Sequence, residues 1–396
     1  MSQKRTVAAL LVLALLLAGC ANSPPRRQEI AARPHLAPGY MAEQRHAITS
    51  TRENWMLGND TVEVTLTMPS GDGNFPLVVY LPGLGESAEG GAAWRRPWAE
   101  AGYAVLALQP ESIARILSSA AARSGEFREL AREQFSPRAL DRRQALLQKA
   151  LAEVARRKNS STVTGFSRID LAHVAIAGFD LGAQTALFAA GEQINGVAPF
   201  PAAETLKCVV ALSPYADFSG AGFEQRFKPV HVPVLSVTSM DDTDLYGLVT
   251  SAAIRRAPFE YMPPGRKYFL SLFSAPHALL SGKETPAEGG DVRGREESSP
   301  AMNGGGGDAG GSGRSGKRGR DSGGRSGSRG GEMPGRAGSG FSPALSAGAW
   351  EDQLRYVQSV TTAYLDAVVK NDPVAQEWLA KDARRWLGEG ANLMAK

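Results

Sequence analysis

The sequence predicts an α/β fold, with a mostly parallel central sheet and helices on both faces. Two observations predict it. Apolar runs of strand length, such as Phe75–Leu81 and Tyr103–Leu108, alternate with amphipathic helical stretches. Strands apolar on both faces belong to parallel sheets covered by helices. The second observation is the passage from Val174 to Leu187, where an apolar run ends on Gly178-x-Asp180-x-Gly182 and a small-residue helix starts at once.

The chain has 396 residues, 43% of them hydrophobic, so it can bury a sizeable core. Its net charge of +4 is small for that length and implies no specific nucleic-acid partner. The first twenty residues stand apart from the fold. Lys4 and Arg5 precede the short apolar run Val7–Leu17, which ends in Leu17-Ala-Gly-Cys20. A basic start, an apolar stretch and small residues at the cut describe an export signal. Its last four residues resemble a bacterial lipobox, which implies lipidation of Cys20 and attachment to membrane lipid. Ala21 after the cysteine resembles the outer-membrane sorting pattern, so the expected location is the cell envelope, lipid-anchored and facing the periplasm. Only Cys208 remains in the mature chain, so no internal disulfide is expected.

Residues 21–47 carry Pro24, Pro25, Pro34 and Pro38 and read as a tether. Thr61–Thr67 alternates with period two, a half-buried strand. The turn Pro69–Gly73 separates it from the apolar strand Phe75–Leu81. A helical stretch with Trp94 and Trp98 follows, then the strand Tyr103–Leu108, which makes a βαβ unit. Residues 111–160 read as helical. Leu146, Leu147, Leu151 and Val154 form one apolar side of the periodic part, Ala139–Arg157. Strands are then expected at 172–177, 208–213 and 232–238, with 267–273 as the last. Residues 283–340 are mainly Gly, Ser and Arg through their centre and read as a disordered insertion. Helical periodicity returns from Trp350 to Val368, and a final helix around Trp378–Leu387 is expected to complete the chain. The domain thus spans 48–282 plus 341–396.

Gly-x-Asp-x-Gly between a strand and a helix has two readings. An aspartate before a helix is commonly an N-cap. The same context also suits a nucleophile elbow, a strained turn that raises its central side chain above the sheet, with glycines letting strand and helix approach. An aspartate within Met240–Asp244 and then a histidine, His277, near the ends of later strands match the order nucleophile, acid, histidine. Asp241 and Asp244 lie close enough to compete with Asp242 for the acid position. No His, Cys or Asp cluster has metal-ligand spacing and no Gly-x-Gly-x-x-Gly opens a helix, so neither metal nor cofactor is expected.

Four stretches, Pro76–Gly85, Gly178–Leu187, Pro233–Asp242 and Lys267–His277, resemble the α/β-hydrolase superfamily, specifically its dienelactone hydrolase and platelet-activating-factor acetylhydrolase-like branch. The resemblance implies an α/β-hydrolase fold acting on a small ester-like substrate. It further implies a triad of Asp180, His277 and Asp242, and an oxyanion hole from the backbone N–H groups of Leu84 and Leu181. The chain departs from that branch at Asp180, where serine is usual. Carboxylate attack on an ester carbonyl yields a mixed anhydride, whereas attack on a saturated carbon yields an ordinary alkyl ester. Dehalogenases and epoxide hydrolases that carry aspartate in the elbow resemble this arrangement. Many place Trp where this chain has Leu181, and no cap-sized insertion follows the strand after the elbow. Three readings follow: a lipid-anchored hydrolase using Asp180 covalently on an ester-like or displacement substrate, a non-covalent enzyme in which Asp180 and His277 activate water together, and a catalytically retired binding lipoprotein.

Overall fold

The computed structural model describes residues 38–160, 165–201, 204–217, 222–284 and 345–396. The expected signal peptide with Cys20, most of the expected tether and nearly all of the 283–340 stretch lie outside the described residues.

Nine strands form one sheet in the order β1-β2-β4-β3-β5-β6-β7-β8-β9. β1 (Ile48–Leu57), β2 (Asp60–Pro69) and β4 (Ala104–Pro110) pair antiparallel. β4, β3 (Phe75–Leu81), β5 (Ile169–Phe179), β6 (Leu206–Leu212), β7 (Val234–Ser239) and β8 (Lys267–Leu272) run parallel, and β9 (Ala391–Ala395) closes the far edge antiparallel to β8. The architecture is α/β, as predicted.

Side chains alternate along the buried strands between two cores. On β3, Val78 and Tyr80 face a layer containing α1 (Ala92–Glu100) and α4 (Ala347–Val369). Leu77, Val79 and Leu81 face α2 (Pro137–Lys158) and α3 (Leu181–Ala189). Trp94 and Trp98 of α1 interlock with Val357, Val360 and Tyr364 of α4. Asp366 of α4 fixes that packing, accepting from the hydroxyls of Tyr40 and Tyr103, each at 2.9 Å. α2 starts on Ser136, whose hydroxyl accepts from the Ala139 N–H, with Pro137 in the first helical position.

Two expectations are corrected. β1 was not expected, because its exposed face is polar and only Trp55 and Leu57 are buried; pairing with β2 makes it a strand. The last strand is β9 rather than β8, so the final helical stretch does not complete the chain. There 373–377 and 383–387 flank a π-turn at 378–382 before β9. Residues 111–160 are helical, as expected, in several pieces. Glu111–Ala114, a 3-10 turn at 116–118, Ala120–Arg123 and Phe127–Gln134 precede α2, with Gly125 in the left-handed region at φ 83°. These pieces follow β4 on the side where the strands end.

Strand order reverses at β3, whose neighbours are β4 and β5. In open parallel sheets the crevice for a ligand opens outside the carboxyl ends of the strands at such a point. The closest backbone approach at any described glycine lies there. A Cβ on Gly182 would sit 1.9 Å from the Leu81 carbonyl oxygen, and one on Gly178 would sit 2.3 Å from Gly182. No rotamer change relieves a clash between backbones. Gly182→Ala is therefore expected to lose about 3 kcal/mol or more of stability, read as a lower midpoint in urea denaturation. An unchanged midpoint would mean that β3 and α3 are not held this closely.

Candidate active site

Asp180 sits between β5 and α3 at φ 51°, ψ −107°, a conformation that costs a non-glycine residue strain energy. Its N–H donates to the Leu212 carbonyl at 3.0 Å, tying the turn to β6. Although it stands at the N-cap of α3, its side chain makes no capping hydrogen bond. The usual capping bond is thus absent, and among helix N–H groups the one against the carboxyl is that of Leu181, directly after it.

The carboxyl instead meets a cavity of about 680 Å³ lined by Leu84, Glu86, Phe179, Tyr246 and His277 among others. His277 opens a short helical turn after β8 and places Nε2 3.9 Å from Asp180 Oδ1. Phe179 packs beside the imidazole, with ring centroids 4.8 Å apart. On the other side of the ring, Nδ1 lies 2.7 Å from Asp242 Oδ1. With the Nδ1 proton donated to Asp242, the neutral ring keeps its lone pair on Nε2, facing Asp180.

The competition among the three aspartates is decided by position. Asp242 is fully buried against the histidine, Asp241 is exposed, and Asp244 accepts from the backbone N–H groups of Tyr246, Leu248 and Val249 and so shapes its own turn. Asp180, His277 and Asp242 thus converge from the ends of β5, β8 and β7. Leu84 lines the cavity through the loop after β3, and Leu181 begins α3 directly behind Asp180.

Electrostatics separate the two aspartates. Burial pushes the Asp180 carboxyl above its usual range, only partly offset by His277 and Arg255. Burial also opposes ionisation of Asp242, but Arg255 and His277 outweigh it and hold that carboxyl below its usual range. The acid partner stays charged while the elbow carboxyl is kept more basic than a free aspartate.

Four contributors escaped the sequence reading. Arg255 is fully buried and donates from Nε to the Asp242 carbonyl at 2.9 Å, and from Nη1 to the Ser213 and Pro214 carbonyls. Its Nε also lies 3.3 Å from Asp242 Oδ1. Ser213, at φ 54° after β6, donates to Asp242 Oδ1 at 2.8 Å and lies 2.9 Å from His277 Nδ1. Thr238 donates to Asp242 Oδ2 at 2.7 Å. Glu86 is the fourth. Nothing in sequence distinguishes a buried Arg255 from a surface arginine or Glu86 from a loop glutamate; only Ser213 and Thr238, the last residues of their predicted strands, carried a positional hint.

The other described histidines are elsewhere. His173 bonds Asp170 at 2.7 Å and His46 meets the Phe75 ring edge-on. Among the described residues, no group of three or more His, Cys, Asp or Glu could hold a metal ion, and no helix is long and apolar enough to cross a membrane. Neither a protein-family model nor a curated protein sequence matches the chain.

Proposed function

We propose that this chain is a hydrolase of the α/β-hydrolase type that acts on a small substrate through a covalent ester on Asp180. The observation that carries the reading is the strained, uncapped Asp180 facing a cavity beside a histidine backed by a buried aspartate. A fold stores such strain where a side chain must be presented. The strand order, in which β4 lies between β2 and β3, also supports the reading, being the one an α/β-hydrolase sheet would have.

Carboxylate chemistry favours an electrophilic saturated carbon, which includes the alkyl carbon of an ester-like substrate. An Asp180 oxygen forms a bond to that carbon, and the leaving group departs with its electron pair. The product is an alkyl ester, free of the anhydride that carbonyl attack would require. At 3.9 Å, Nε2 makes no hydrogen bond to Oδ1, so its lone pair remains available to a water. That water attacks the Asp180 carboxyl carbon and gives its proton to His277, whose charge Asp242 stabilises. The Leu84 and Leu181 N–H groups are the proposed donors to the resulting oxyanion. Collapse expels the alcohol, which takes the proton from His277. The Cys20 anchor and the outer-membrane location belong to this proposal through the first twenty residues alone.

The test is a single turnover in H₂¹⁸O with short esters, haloalkanes and epoxides, followed by mass spectrometry of the Asp180 peptide. One ¹⁸O in that peptide is expected, because the attacking water becomes part of the regenerated carboxylate. Product without label would replace the covalent route with direct activation of water by Asp180 and His277. No product from any class would favour a retired site used for binding.

A further inference from the structure

Beside Asp180 the cavity holds a second carboxyl, Glu86, that the mechanism above does not use. It follows the loop Pro82-Gly-Leu-Gly85, which leaves β3 next to the elbow. The Gly83 N–H donates to Glu86 Oε2 at 2.9 Å. Gln109, buried at the end of β4, braces the same loop by donating to the carbonyls of Gly83 at 2.8 Å and Glu86 at 3.0 Å. The room around the carboxyl is small, since a Cβ on Gly90 would lie 3.0 Å from Oε2. Oε2 is therefore held in place, and Oε1 is left as the atom to carry a proton.

We propose that Glu86 is the catalytic acid of this site, donating its proton from Oε1 to a departing oxygen, so that the substrate class is a carbon–oxygen electrophile, an epoxide or a strained alkyl ether or ester. The inference rests on the Asp180 displacement reading and names the leaving group that reading left open. A halide leaves as a stable anion and needs no proton. An alkoxide is too basic to leave readily without one. Leu181, the residue directly after the elbow aspartate, also has no side-chain N–H with which to bind a halide.

The step balances. Asp180 forms the new C–O bond while the substrate C–O bond breaks, and the released electron pair takes the Glu86 proton. In the second half-reaction water supplies two protons. One passes through His277 to the departing alcohol, and the other, first carried on the Asp180 carboxyl, restores Glu86. An epoxide thus gains one water to become a diol.

The groups that set the Glu86 charge are all local. Burial pushes its carboxyl up to about 7; the Gly83 N–H, Lys283 and His277 pull it down, and Asp180 pushes it up. Tyr80 and Tyr246, the hydroxyls whose ionisation Glu86 in turn opposes, stay protonated. At neutral pH a large share of Glu86 therefore carries a proton in the cavity that Asp180 also faces, which suits it to the role of acid beside a nucleophile.

The experiment compares styrene oxide with 1-bromobutane on the full chain, following alkylation of the Asp180 peptide in single turnovers from pH 5 to 9. For the wild type, alkylation by the epoxide is expected to fall above about pH 7, whereas that by the bromide is not. In Glu86→Gln the ratio of epoxide to bromide rates is expected to drop about 100-fold. The bromide reaction in the same variant reports an intact fold and a working Asp180. An unchanged ratio, or a bromide reaction with the same falling limb, overturns the role of Glu86 alone. A wild type that forms no Asp180 adduct with either probe overturns the displacement reading and this inference with it.

Discussion

Asp180→Asn is expected to reduce turnover by about 10⁴-fold or more, while His277→Ala should lose turnover and yet accumulate a stable adduct. The two variants divide the proposed reaction at its covalent intermediate. An amide in place of the Asp180 carboxylate cannot attack carbon, so neither half-reaction proceeds. Asparagine also tolerates the left-handed backbone that this position requires, so the loss is not one of folding. His277, by contrast, is needed only to activate water against the ester. Without it, the enzyme should consume one equivalent of electrophile and stop, with the Asp180 peptide heavier by the substrate. Intact-protein and peptide mass spectrometry read this directly. Equal losses with no adduct in His277→Ala would sink the covalent route, because then the histidine must act before any bond to Asp180 forms.

The largest stability effect away from backbone clashes is expected for Arg255→Met. Arg255 and Asp242 have no measurable exposure, and the arginine also satisfies the carbonyls of Asp242, Ser213 and Pro214. Removing one member of a buried pair leaves an uncompensated charge and costs about 3–5 kcal/mol. For a domain this large that lowers the melting temperature by roughly 10 °C. The pH dependence separates charge from hydrogen bonding. Asp242 has its folded pKa lowered, with Arg255 the largest influence opposing burial. Its contribution to wild-type stability is therefore full above the unfolded value of about 3.9 and is lost as pH falls through the lower folded value. The variant lacks the arginine that lowers that value, so its deficit should be largest near neutrality and narrow in acid, where a protonated Asp242 needs no partner. Urea titrations of both proteins at about pH 7 and about pH 3.5 check this. A deficit that does not narrow would assign the role of Arg255 to the three carbonyls rather than to the carboxylate.

What could be read from the sequence and what could not divides along physical lines. Asp180, His277 and Asp242 were legible because each follows an apolar strand, and strand ends of a parallel sheet converge on one edge. Sequence order therefore carried spatial information. Asp242 could be preferred to Asp241 and Asp244 only on spacing; its burial against His277 is what separates them. β1 and β9 were missed because an edge strand buries few side chains, so its pattern is weak until a neighbour supplies hydrogen bonds.

The sequence by itself determined the α/β class, the two-sided apolar strands and the glycine pair that lets β3 and α3 touch at Gly182, since these are local demands of burial and backbone space. Only the tertiary structure decided that Asp180 is uncapped and strained, that Arg255 braces Asp242, and that Glu86 enters the same cavity. Those are long-range facts. A carboxylate or guanidinium acquires its role from the desolvation and charges that distant segments impose, and no local pattern encodes which segments those will be.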